Sequence, residues 1–252
     1  MNIPKIIFKS MSLEENINVI KWAYFEGNGD LSVSDYTIKY FPMLANLDGL
    51  NRDEIYSKIE ETVTYYYNKS IEAINNEICK YNKWWEEFND EFFIKVIDYL
   101  NVDPIDVEVI EAEVGLIPVF PRYLDTCSFA IGVGVNKEKL IETCAHESLH
   151  FFWFKKWQEL YPEIKKEEYE SPHLVWKYSE MVVDPILNSV IFNGLFSFGI
   201  KAYDSFYDIT YDGNKIMEVL INVYNKDISI EEKIKEGYEY LKIVFENKNV
   251  KR

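Results

Sequence analysis

Cysteine and histidine are scarce in this chain, three of each in 252 residues. Cys79, Cys127 and Cys144 are an odd set without C-x-x-C spacing, which speaks against a disulfide framework and fits a reducing compartment. Ten glycines and eight prolines are too few for collagen-like or low-complexity chains, and 48% hydrophobic residues mark a globular one. Basic residues are also short: 27 Lys and Arg against 43 Asp and Glu leave a net charge of −16. Such a chain has no general attraction for phosphate backbones or anionic lipid, so neither nucleic acid nor a membrane surface is an expected partner. Long apolar runs are missing as well. No stretch reaches the roughly 18 residues of a membrane span, and the N-terminus offers only Ile6 to Phe8 before turning polar, unlike a signal peptide. The expectation is a soluble, cytoplasmic protein.

Helical signals dominate what is present. Ser12 followed by Glu15 reads as an N-terminal cap for a helix to about Phe25, closed by a turn over Gly27 to Asp30. From Arg52 to Tyr99 breakers are nearly absent and Ile55, Ile59, Val63, Tyr66, Ile74 and Ile78 recur at helical spacing. One very long helix, or two meeting near Lys80 to Trp84, satisfies that pattern. The aromatic residues along it are expected in the core. The breaker Asn101 to Pro104 then changes the period, and Val107, Val109, Ala112 and Val114 alternate as in a strand. Pro118 and Pro121 confine Gly115 to Tyr123 to an edge strand or loop. Phe129 to Val135 reads as a further strand, Lys137 to about Gln158 as a helix, and Glu163 to Glu170 as a solvated connector. Ser171-Pro172 signals another helix, running to about Asn193 with a bend at Pro185. Asp212 and Ser229 with Glu232 open two more. The expected class is α+β, predominantly helical, ordered as helices, sheet, helices. Residues 1–101 are expected to form an N-terminal helical region, 102–160 a sheet with the central helix, and 161–252 a C-terminal helical subdomain.

The most informative residues are His146-Glu147-Ser148-Leu149-His150, an H-E-x-x-H run inside the Lys137 to Gln158 helix. Histidines at i and i+4 share a helical face, so their imidazoles can converge on one Zn²⁺. Glu147 stands next to the first, where it can reach a water on the metal without ligating it. With so few histidines, a chance occurrence of this run is about one in a few hundred. The flanks, Thr143-Cys144-Ala145 and Phe151-Phe152-Trp153-Phe154, are uncharged in a chain that is 28% charged, which marks a buried helix rather than a solvated one.

A catalytic zinc takes a further protein ligand and keeps one position for water. Between Ser171 and Tyr203 only Glu180 and Asp184 are acidic, four residues apart on an apolar helix where an unpaired carboxylate is costly to bury. A metal would partner such a group. His173 is a rival third ligand, although its place at a helix start favours a capping or exposed role.

H-E-S-L-H followed by Glu180 and Asp184 resembles the gluzincin branch of zinc metallopeptidases, the thermolysin-like enzymes, over about Phe92 to Asn193. The resemblance implies a zincin-like core, in which a small mixed sheet packs on the active-site helix and an edge strand aligns a peptide or protein substrate. It implies His146, His150 and Glu180 as zinc ligands, Glu147 as general base, and Asp184 as the partner of a ligating histidine, His146 first. The family's Tyr or His oxyanion donor has five positional candidates here: His173, Tyr178, Tyr203, Tyr207 and Tyr211. Pro185, directly after Asp184, departs from the pattern. A different class remains open, a helical interaction protein with a retained but inactive metal site; the intact Glu147 argues against it, because a structural site has no use for a base there.

Overall fold

The computed structural model describes residues 3–25, 33–47, 49–103, 108–116 and 121–246. The class is α+β and predominantly helical with a small mixed sheet. Two compact units, each discontinuous in sequence, make up the chain. Lys5–Glu87 with Val109–Thr143 carries the sheet; Met1–Pro4, Phe88–Glu108 and Cys144–Arg252 form a helical unit. Among the described residues no helix is long and apolar enough to cross a membrane. The turn expected over Gly27 to Asp30, and Pro104, Val107 and Pro118, lie outside the described residues.

The sheet unit starts with a strand that the sequence reading did not anticipate, β1 (Lys5–Ser10). Its side chains alternate, Ile6 and Phe8 buried and Lys5, Ile7 and Lys9 exposed. Ser12 caps α1 (Leu13–Phe25) as expected: the Glu15 N–H donates to Ser12 Oγ at 3.1 Å and the Ser12 N–H to Glu15 Oε2 at 2.9 Å. After α2 (Val33–Tyr40), a second capping box, Asn51 with Glu54, opens α3 (Arg52–Glu86). The long periodic segment is thus two helices, α3 and α4 (Asn89–Leu100), parted a little later than Lys80 to Trp84.

Strands β2 (Val109–Gly115), β3 (Arg122–Tyr123) and β4 (Ser128–Gly132) complete the sheet in the order β1-β2-β4-β3. β1 and β4 run parallel to β2, and β3 is an antiparallel edge strand. The element order is therefore strand, helices, sheet, helices, a correction to the expected order, because β1 pairs with a strand far down the chain, Ile6 opposite Ile110 and Phe8 opposite Ala112. Helix α3 lies against β1 and β2. Tyr81 from α3 meets Phe8 edge-on at 5.7 Å, donates its hydroxyl to the Gly132 carbonyl at 3.1 Å and accepts the Val135 N–H at 2.9 Å, so helix and sheet are joined by a fully used buried hydroxyl. The strand expected to reach Val135 ends at Gly132, and Gly134, at φ +79°, turns the chain toward α5 (Lys137–Leu160).

Asn136 caps α5 through the Lys139 N–H at 2.8 Å. The connector after α5 is not wholly solvated: its short 3₁₀ turn, Lys166–Tyr169, buries Tyr169 in a stack on Phe154 at 4.6 Å. Helix α6 (Leu174–Met181) begins later than Ser171-Pro172, because Pro172 lies inside a turn closed by the His173 N–H on the Glu170 carbonyl at 3.1 Å. Pro185 has no N–H for the Met181 carbonyl and its ring crowds it, so α6 stops there and α7 (Val183–Leu187) is a separate short helix.

Helix α8 (Asp204–Asp208) leads to a hairpin, β5 (Thr210–Tyr211) and β6 (Asn214–Lys215). Asp212 does not open a helix as expected. Asp212 and Gly213 have φ of 49° and 78°, the two positive values that a tight two-residue hairpin turn requires. Helix α9 (Ile216–Tyr224) starts after it, and the expected Ser229 and Glu232 capping box opens α10 (Ile230–Glu246).

Candidate metal centre

His146, Glu147 and His150 lie on the part of α5 that belongs to the helical unit, flanked by buried Ala145, Leu149, Phe152 and Trp153. The helix is enclosed, as its uncharged flanks imply. Its register against α6 is set by aromatic packing. Trp153 meets Tyr178 edge-on at 5.4 Å, and the Tyr178 hydroxyl is held by the Tyr224 hydroxyl at 2.9 Å and the Ile234 carbonyl at 3.1 Å. Gly237 on α10 makes room for that hydroxyl, since a methyl group there would overlap it. Tyr178 stands two residues before Glu180, so the same contacts bring Glu180 to the histidines.

Glu180 spans the two rings. His146 Nε2 is 2.9 Å from Glu180 Oε2, and His150 Nε2 is 3.5 Å from Oε1. Side-chain exposure is 14% for His146, 0% for His150 and 3% for Glu180. Ligand atoms about 2.0 to 2.1 Å from a tetrahedral zinc lie about 3.3 Å from one another, and the two observed separations bracket that edge. Burial alone would raise the Glu180 carboxyl, but the imidazoles of His150 and His146 outweigh it and hold the group well below the usual carboxylate range. It is a buried anion that faces two imidazoles.

Glu147 is the second carboxylate here, with its ligand atom and those of His146 and His150 all within 4.8 Å of one another. These three groups could hold an ion, and Glu180 reaches both histidines from α6. Cys144, two residues before the motif, is buried; burial and then Glu147 push its thiol well up. Behind His150 lies the ring of Phe154 at 6.2 Å, backed by Tyr169.

Asp184 is not brought to a histidine. Its Oδ1 accepts from Asn188 Nδ2 at 2.9 Å and its Oδ2 accepts from the Tyr207 hydroxyl. Asn188 and Tyr207 thus take the place of the histidine partner that the resemblance implied.

The five candidate donors also separate. Tyr178 is a core residue, His173 occupies the exposed N-cap of α6, Tyr207 is tied to Asp184, and Tyr211 lies against Tyr240 at 6.5 Å. Tyr203 remains: its ring is 6.5 Å from His146 and half exposed, at 50%. Trp176, 6.4 Å from Tyr203, was missed in the sequence, although it stands one helical turn before Glu180 and so on the same face of α6. No family model, curated protein or solved structure matches the chain.

Proposed function

We propose that this protein is a zinc-dependent metallopeptidase of the gluzincin type. One observation carries the reading: a buried carboxylate, Glu180, bridges the Nε2 atoms of both histidines of an H-E-x-x-H helix at separations that suit a single tetrahedral ion. A mixed sheet with an antiparallel edge strand, followed directly by that helix, supports a zincin-like core.

His146, His150 and Glu180 would hold the ion, two imidazoles and one carboxylate, a ligand set typical of catalytic rather than structural zinc. Bound there, zinc supplies Lewis acidity that polarises a carbonyl and lowers the pKa of water toward about 7. Glu147 takes the proton from the attacking water and delivers it to the leaving nitrogen. Tyr203 is the donor best situated for the developing oxyanion. The substrate is a peptide or protein.

Metal analysis of the purified protein, followed by cleavage of a peptide library with and without chelator, tests the reading. Glu147→Gln should keep its zinc and fold and lose nearly all hydrolysis, because Glu147 is a base and not a ligand. Wild type without zinc affinity, or a Glu147→Gln variant with substantial turnover, would overturn it.

A further inference from the structure

The carboxylate of Asp184 belongs to a network that ends one residue before Tyr203. Asn188, whose Nδ2 donates to Asp184 Oδ1, donates also to the Ile200 carbonyl at 2.6 Å and accepts the Ile200 N–H on its Oδ1 at 3.1 Å. Tyr207 donates its hydroxyl to Asp184 Oδ2 and accepts the Ala202 N–H at 3.2 Å. Both carboxylate oxygens thus serve the backbone of residues 200–202, each through one intermediary. On the far side the Phe206 N–H donates to the Tyr203 carbonyl at 3.0 Å and closes the first turn of α8. Tyr203 is pinned before and after.

That restraint has a purpose in the local packing. The Tyr203 ring is half exposed, with its ring neighbours His146, Trp176 and Phe206 at 6.5, 6.4 and 5.8 Å, so burial does little to fix it. A backbone held by hydrogen bonds to an ionised carboxylate network supplies what packing does not. Burial, and then the bond to Asp184, push the Tyr207 hydroxyl well up, so it stays a donor throughout the neutral range.

We propose that Asp184, Asn188 and Tyr207 form a positioning clamp that holds Ile200–Tyr203 so that the Tyr203 ring stands beside His146. Asp184 then acts on the substrate side of the centre, through Tyr203, and not on the metal through a histidine. The clamp itself is independent of the peptidase reading; what Tyr203 does once placed rests on it. Displacement of a reacting group by about 1 Å can cost about 100-fold in rate, so such a clamp matters to turnover without touching substrate.

The test uses the full chain with 3-fluorotyrosine at position 203 alone, followed by ¹⁹F NMR. In the metal-free protein the clamp predicts a single resonance shifted from free fluorotyrosine by the neighbouring rings. Asp184→Asn and Tyr207→Phe should each move it at least halfway to the free value, while Tyr211→Phe leaves it in place. Added Co²⁺ should broaden the wild-type signal strongly and the two variant signals less, with the same Co²⁺ absorption spectrum in all three proteins. Where hydrolysis is measured, Tyr207→Phe should lower kcat about 10- to 100-fold and add nothing in a Tyr203→Phe background. An unmoved resonance in both variants would overturn the clamp. So would an altered Co²⁺ spectrum in Asp184→Asn with the fluorine in place, which would return Asp184 to the metal. A wild type that takes up no Co²⁺ would defeat the peptidase reading instead, and the metal-free resonance would still decide the clamp.

Discussion

Glu180 and Asp184 are four residues apart, both acidic and both inside an apolar stretch, yet they do opposite work. Glu180, at the end of α6, is surrounded by protein and faces two imidazoles. Asp184, in α7, faces a carboxamide and a phenol hydroxyl, neither of which carries charge. An anion among imidazoles could hold a cation, as the proposed function requires; an anion among neutral donors is satisfied by their hydrogen bonds. The two acids lie in separate helices, parted at Val182 where Pro185 has no N–H for the Met181 carbonyl. Spacing alone does not define a carboxylate's role.

The largest expected effect that would break this comparison is at Glu180. Glu180→Ala should weaken zinc binding by well over the about 10- to 100-fold typical for losing an outer partner of a ligand, and abolish activity. His173→Ala, at the exposed N-cap of α6, should leave zinc stoichiometry unchanged. Competition with a graded chelator measures both, and the reverse result would replace Glu180 with His173 in the ligand set. Next in size is removal of the metal itself. Ligand binding to the folded state alone stabilises it by about 4 kcal/mol at 1,000 times Kd, so excess chelator should lower the melting temperature of wild type and leave Glu180→Ala unmoved. Equal melting shifts in both would show that the stabilising ion sits elsewhere.

What the sequence displayed and what it concealed follow the range of the interactions involved. Ser12 with Glu15, and Ser229 with Glu232, are legible because a cap is satisfied within three residues. The H-E-x-x-H face and the burial of α5 are legible because helical period and uncharged flanks are local. Glu180 was visible only as a rare acid in an apolar span. Strand β1 was not legible, since KIIFKS is short and lysine-flanked and its parallel partner lies beyond helices α1 to α4. Asp212 was misread because aspartate serves both as a helix cap and in a hairpin turn, and Gly213 beside it was the deciding signal. The setting of Asp184 was hidden for a similar reason: Tyr207 reaches it, and the Ile200 backbone reaches its neighbour Asn188, only through tertiary folding.

A smaller effect tests how firmly the Glu180 side is built. Gly237→Ala forces a methyl group against the Tyr178 hydroxyl, which is buried and hydrogen-bonded to Tyr224 and Ile234. Overpacking of this kind costs about 1 to 3 kcal/mol, so the variant should melt at a lower temperature and bind zinc more weakly, because Tyr178 carries the register of α6. Calorimetry with and without zinc checks it. A loss of stability with unchanged zinc affinity would mean that Glu180 reaches the histidines independently of Tyr178.

The smallest expected effect is at Asp184, and it sharpens the contrast most. Had Asp184 oriented His146, Asp184→Asn would lower zinc affinity about 10- to 100-fold. With Asn188 and Tyr207 as its partners, the same substitution removes a charge from a network that does not touch the metal ligands. Zinc affinity should stay within about threefold of wild type, and stability should fall by about 1 to 3 kcal/mol for the loss of hydrogen bonds to a charged group. Chelator competition and thermal melting on the same preparation separate the two outcomes. A tenfold loss of zinc affinity would show that Asp184 and Glu180 belong to one metal-centred unit after all, and the distinction between the two acids would then lie in distance to the ion rather than in function.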